Sequence, residues 1–159
     1  MNLFKKVIKT WKVAKSPRRS WINLDLNLRS LCRKCYILLR DVGIAISYTD
    51  LQCAHPNWKR MDVTQLRQLL ESYGLKTVPV KNLKIAASLL QEGKPVVALV
   101  NRSTYAKKGR MHWIVLRGIK GKVFAVSDPL DTSPRRLELK TLVYSMKQTD
   151  HNILFTINT

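Results

Sequence analysis

Acidic residues are scarce in this chain. Ten Asp and Glu stand against 29 Lys and Arg in 159 residues, a formal charge of +19 at pH 7. That balance excludes an acidic, solvating chain and points to a partner that carries negative charge. Cysteine is sparse as well, at three. An odd, small count excludes a disulfide-stapled secreted module and fits thiols kept reduced. No run approaches the roughly 20 apolar residues that span a bilayer, which excludes an integral membrane protein. The opening Met1-Asn2-Leu3-Phe4-Lys5-Lys6 lacks the apolar stretch and small-residue cleavage site of a secretory signal. Together these absences lead to the expectation of a cytoplasmic protein. What is present is 45% hydrophobic residues over a length suited to one domain with its own core.

The basic excess is uneven. Lys5, Lys6, Lys9, Lys12, Lys15, Arg18 and Arg19 precede the first acid, Asp25. Leu3, Phe4, Val7, Ile8 and Trp11 recur at helical spacing, so residues 2–14 can form a helix with one apolar and one cationic face. Such a helix can lie on an anionic membrane surface, at the inner face of the membrane. Packing on its own domain is the plainer use of the same stripe. An organellar transit peptide shares this composition. Ser16-Pro17-Arg18-Arg19-Ser20 breaks the helix. The expected organisation is a basic arm and linker over residues 1–20, then one domain over residues 21–159.

Within that domain the apolar period is first helical and then short. Leu28, Leu31, Cys35, Leu38, Leu39 and Val42 predict a helix over 27–42, stopped by Gly43. A second is expected over 63–73, with Asp62 as N-cap, Leu66, Leu69 and Leu70 inward, and Gly74 at its end. A third is expected over 82–91. Runs at 95–101, 112–119 and 122–127 are β-branched and broken by glycine or polar loops, so they read as strands. Gly118–Gly121 is expected to be the tight turn joining the last two. Weaker strands are expected at 137–139 and 153–157. Helices followed by an antiparallel sheet argue for an α+β fold.

Two chemistry-bearing residues sit at the open end of the expected hairpin. His112 begins one strand and Asp128 follows the next, so the turn should bring them within reach. An aspartate there can hold an imidazole in one tautomer and stabilise its charged form. Residues at strand ends are more commonly rim or turn positions. A cysteine near the N-terminus of a buried helix would complete a nucleophile set, because helix dipole and imidazolium both favour thiolate.

The run Met111-His112-Trp113-Ile114-Val115-Leu116-Arg117-Gly118-Ile119, followed by Val123-Phe124-Ala125-Val126-Ser127-Asp128-Pro129, resembles the His and Asp motifs of bacteriocin-processing cysteine peptidases. These are papain-like enzymes that remove double-glycine leaders, usually fused to peptide-exporting ABC transporters. The Lys94–Val100 run and the Leu66–Gly74 helix with its Tyr73-Gly74-Leu75 exit fit the same pattern, and the resemblance covers roughly residues 26–145. It implies a papain-like α+β fold and a triad of Cys32, His112 and Asp128, with no cofactor. It further implies Asn27 as the amide of the oxyanion site and Cys35 as an alternative nucleophile. The implied partners are the leader peptide of a secreted peptide and an ABC transporter. The nucleophile region departs from the family's Cys-Gly pattern, since Arg33 follows Cys32, and no Gln precedes Gln52. A peptidase-like domain that binds a peptide, a transporter, an anionic membrane or nucleic acid without cleavage is therefore the alternative.

Other readings draw on the same residues. Cys32, Cys35, Cys53 and His55 form a C-x2-C…C-x-H set, but zinc cysteines sit in turns and the first pair lies on an expected helix, so no metal is expected. His151 has no local partner and is expected at the surface. Lys107, Lys108 and Arg110 before His112, with Arg117 beyond it, form a basic surface. Such a surface can meet phosphate, and no recognition helix or zinc finger accompanies it, so nucleic acid stays open only as a non-specific partner.

Overall fold

In a computed structural model of the chain, the described residues are 36, 39–40, 43–47, 49–51, 63–107, 111–128, 130–131, 133–149 and 151–158. The basic arm, Asn27, Cys32, Cys35, Cys53, His55, Asp62, Lys108 and Arg110 lie outside them.

Helical backbone is found at Tyr36, Leu39 and Arg40 and again at 49–51. Helix α1 spans Val63–Ser72 and buries Leu66, Leu69 and Leu70, positions three and four apart on one face. Gly74 stops it: at φ +82 it lets the Leu75 amide return to the Leu70 carbonyl at 3.1 Å. Strand β1, Lys76–Pro79, follows directly. Helix α2 spans Leu83–Gln91, and its N-cap is Asn82, whose Oδ1 accepts the Ile85 amide at 2.9 Å.

The rest of the chain builds most of the sheet. Strands β2 (Val96–Asn101), β3 (Met111–Lys120), β4 (Val123–Ser127), β5 (Arg135–Glu138) and β6 (Leu154–Asn158) join β1 in the order β1-β6-β2-β3-β4-β5. Every pairing is antiparallel. A short 3-10 turn, Arg102–Thr104, continues from β2, and helix α3, Leu139–Lys147, continues from β5. The architecture is the expected α+β arrangement of helices on an antiparallel sheet.

Both faces of the sheet are covered. Alternation along β2 and β3 sends Val97 and Val115 into one cluster with Tyr36, Leu39, Leu51, the three α1 leucines and Phe155. Val96, Ala98, Val100, Ile114 and Leu116 point the other way, with Phe124, Val126, Ala86 and Leu90 of α2, and Leu142 and Met146 of α3. The central strand β2 is buried along Val96–Val100 because it has a strand on each side and helices on each face.

Two expected boundaries are corrected. Gly118 does not open a turn; it is buried inside β3, where the register against β4 shifts between Leu116 and Gly118 as a bulge. The turn itself is Gly121-Lys122, between the paired Lys120 and Val123, and Gly121 takes φ +58. The strand expected at 137–139 is β5 ending at Glu138, and Leu139 begins α3. Its amide donates to the Lys122 carbonyl at 2.7 Å, and Leu142 and Met146 carry the apolar face inward.

Candidate active site

The β3–β4 hairpin delivers its two open ends side by side. Val115 pairs with Ser127 and Leu116 with Val126. On the other side Val100 of β2 pairs with His112. His112, Ile114 and Leu116 share one face by the two-residue period of a strand, and Val126 and Asp128 share it on the neighbouring chain segment. His112 Nε2 lies 3.1 Å from Asp128 Oδ1.

Both residues are buried rather than at the rim, with 1% of the His112 side chain and none of the Asp128 side chain exposed. The contact is at ion-pair distance, and among the described residues neither imidazole nitrogen completes a hydrogen bond. Nδ1, on the far side of the ring from Asp128, has no described partner at all. Buried polar atoms in folded proteins are nearly always partnered, so this nitrogen is one that a further group can meet.

Asp128 is held by several donors besides the histidine. The Leu130 amide donates to Oδ1 at 2.9 Å. Arg102 Nε donates to Oδ2 at 3.0 Å and the Tyr105 hydroxyl to the same oxygen at 2.8 Å. Burial by itself pushes this carboxyl up. His112 and the donors from Leu130 and Tyr105 overcome it and hold Asp128 well below the usual carboxylate range. Tyr105 responds in the opposite sense. Burial first, then the neighbouring Asp128 charge, push its phenol well above the ordinary value, so it stays a proton donor.

A buried carboxylate that remains ionised beside one face of an imidazole can stabilise the protonated ring. The other ring nitrogen is then the atom that accepts and returns a proton. Such an arrangement can serve as the base half of a nucleophilic site. The nucleophile and oxyanion candidates, Cys32, Cys35 and Asn27, lie outside the described residues. Of the expected basic surface, Lys107 is exposed and Arg117 half-buried. His151 is exposed. Among the described residues no group of His, Cys, Asp or Glu is placed to hold a metal ion, and no helix is long and apolar enough to cross a membrane.

Sequence reading did not single out Arg102, Asp131 or Arg135, and it took Tyr105 only as aromatic surface near the basic cluster. The available signal was the dense polar run Asn101-Arg102-Ser103-Thr104-Tyr105 directly after a strongly apolar strand.

A Peptidase_C39-like family model matches residues 45–149. Solved structures agree on the fold. A Bacillus anthracis protein named as a C39-like peptidase superposes with a TM-score of 0.60 at 14% identity, covering 83% of this chain and 90% of its own. The peptidase domain of Streptococcus ComA, a bifunctional ABC transporter of a quorum-sensing pathway, gives 0.58 at 13%, covering 84% and 93%. A double-glycine-motif protease from an AMS/PCAT transporter, in complex with leader peptide, gives 0.57 at 15%, covering 84% and 88%. No curated protein matches the chain.

Proposed function

The chain belongs to the Peptidase_C39-like family, and from that membership together with the His112–Asp128 geometry we propose that it is a cysteine peptidase that removes leader peptides after Gly-Gly. The single observation that carries the reading is the state of His112. Asp128 sits against Nε2, while Nδ1 is buried and open among the described residues.

In this reading Cys32 is the nucleophile. Its thiol proton passes to His112 Nδ1, and the thiolate sulfur bonds to the scissile carbonyl carbon. The amide of Asn27 and a backbone N–H near Cys32 receive the oxyanion. Collapse of the tetrahedral adduct breaks the peptide C–N bond, and His112 gives its proton to the departing amine. Water then attacks the thioester, loses a proton to His112, and releases the leader's carboxylate and the free thiol. Asp128 does not change protonation state; it stabilises the imidazolium formed twice in each cycle.

The substrate class follows from the family and from one neighbour that holds a leader peptide. The same neighbours associate this fold with ABC transporters, so a peptide exporter is the proposed partner. Residues 1–20 are proposed to rest on the anionic inner face of the membrane, which would keep the domain near such a transporter.

The test is cleavage of a synthetic peptide with a Gly-Gly junction, followed by mass spectrometry, using the wild-type chain and Cys32→Ser, Cys35→Ser and Cys53→Ser. Cleavage after the second glycine, lost only in Cys32→Ser, is the expected result. Wild-type binding of the peptide with no cleavage would replace the peptidase reading by a binding role.

A further inference from the structure

The carboxylate beside His112 is locked in place by residues outside the Cys–His–Asp set. We propose that Arg102 and Tyr105 are positioning residues for the reaction, acting through Asp128 to fix the carboxylate that orients and stabilises His112. This inference rests on the peptidase reading for its kinetic consequences and on the geometry alone for its structural ones.

The two carboxylate oxygens are divided between tasks. Oδ1 faces His112 Nε2 at 3.1 Å and takes the Leu130 amide at 2.9 Å. Oδ2 is saturated from the opposite side by Arg102 Nε at 3.0 Å and Tyr105 Oη at 2.8 Å. Rotation about the Cβ–Cγ bond would break both of these hydrogen bonds at once, so the plane of the carboxylate is fixed. Asp128 thus presents one defined edge to the imidazole.

Arg102 is itself immobilised, and this separates it from an ordinary surface arginine. It is 6% exposed, two residues beyond Val100, the β2 partner of His112. Its Nη2 donates to Asp131 Oδ1 at 2.6 Å. Asp131 is gripped in turn by Arg135, through Nε to Oδ2 at 2.6 Å and Nη2 to Oδ1 at 2.9 Å. The Arg135 guanidinium also lies over the Tyr105 ring, 5.1 Å from its centroid. The result is a line of alternating charge, Asp128, Arg102, Asp131 and Arg135, that starts at the histidine and ends at half-buried Arg135.

The charge count explains why both arginines are present. A buried carboxylate left alone takes up a proton, and a neutral Asp128 could not stabilise an imidazolium. Arg102 alone with Asp128 and Asp131 would leave one negative charge in excess. Adding Arg135 balances the two carboxylates with two guanidinium groups. A buried ion pair is poor grounds for a stability role, because apolar groups of similar size commonly serve as well. Its place against the histidine-facing carboxylate favours a positioning role.

The test uses the full chain with Arg102→Met, Arg102→Lys and Tyr105→Phe. Folding is followed by circular dichroism, kcat and KM are measured on the Gly-Gly peptide, and the Nε2-bound proton of His112 is read by nitrogen NMR. Tyr105→Phe is expected to lower kcat about 3- to 10-fold at unchanged KM, the loss of one hydrogen bond. Arg102→Met is expected to lower kcat about 10- to 100-fold, as misplacement of a reacting group does. Arg102→Lys should recover part of that loss, since an ammonium restores the charge without the two-point fork. Both the Met and Phe variants should weaken or split the Nε2 proton signal. Folded variants with wild-type kcat and an unchanged signal would overturn the proposal. If Arg102→Met does not fold, Tyr105→Phe decides alone. If the wild type cleaves nothing, the peptidase reading fails, and the NMR comparison still decides whether Arg102 and Tyr105 set the histidine.

Discussion

His112 and Asp128 are sixteen positions apart in the chain, yet Nε2 and Oδ1 approach to 3.1 Å because β3 and β4 leave a two-residue turn in antiparallel register. Neither residue sits on an exposed rim. Each is enclosed by a packed sheet and a charged network, and the consequences differ for chemistry, for acid stability and for folding.

Asp128→Asn keeps the shape of the side chain and removes its charge. Arg102 then faces a neutral amide but keeps Asp131 as a carboxylate partner, so the variant should lose about 1.5–3 kcal/mol in urea unfolding, the worth of a hydrogen bond to a charged group. Peptide cleavage should fall by up to about 10⁴-fold, as when a triad carboxylate becomes an amide. A variant as stable and as active as wild type would show that the pair contributes to neither.

The pH dependence of stability has a defined sign. Asp128 is held below its ordinary value of 3.8 in the folded state. Its contribution is therefore complete above about pH 4 and is lost as pH falls through and below that value. Tyr105 works at the other end, since its folded-state value is raised above the ordinary 10.0. Its contribution is complete below pH 10.0 and is lost as pH rises beyond it. Melting temperatures measured across pH should decline at both ends. Asp128→Asn should flatten the acid limb and Tyr105→Phe the alkaline limb, and unchanged limbs would contradict the assignment.

Phe124 is fully buried between the sheet and the α2 and α3 side chains. Phe124→Ala should cost about 3–5 kcal/mol, the combined loss of transfer energy and the cavity left behind. Chemical denaturation of the full chain measures this directly, and a cost under about 1 kcal/mol would mean that this core is loosely packed.

Much of this architecture was legible because it is local. The apolar periods of α1 and α2, Gly74 after α1, and the β-branched runs of β2, β3 and β4 each state their structure within a few residues. Strand β1 was not legible. Lys76-Thr77-Val78-Pro79 is short and polar, and it exists as an edge strand only because β6, at the far end of the chain, pairs with it. Helix α3 was masked by the Leu-Glu-Leu alternation at 137–139 and by a Glu138 that makes no side-chain cap. Gly118 looked like a turn residue because its true partner, Ala125, is set by a register shift that no local pattern shows. The His112–Asp128 pair followed from the hairpin. Arg102 did not, because its burial depends on Asp128 and Asp131, which lie 26 and 29 positions away.

The proposed contact between a cysteine thiol and the open Nδ1 of His112 is read by thiol labelling. Wild-type protein is treated with iodoacetamide near neutral pH, and the alkylation rate of each cysteine is read by mass spectrometry, with His112→Ala in parallel. Cys32 should react faster than Cys35 and Cys53 if it is the thiol that meets His112, because a neighbouring base favours the thiolate. That advantage should disappear in His112→Ala. Equal, slow labelling of all three cysteines, or a fast Cys32 indifferent to His112, would contradict the account.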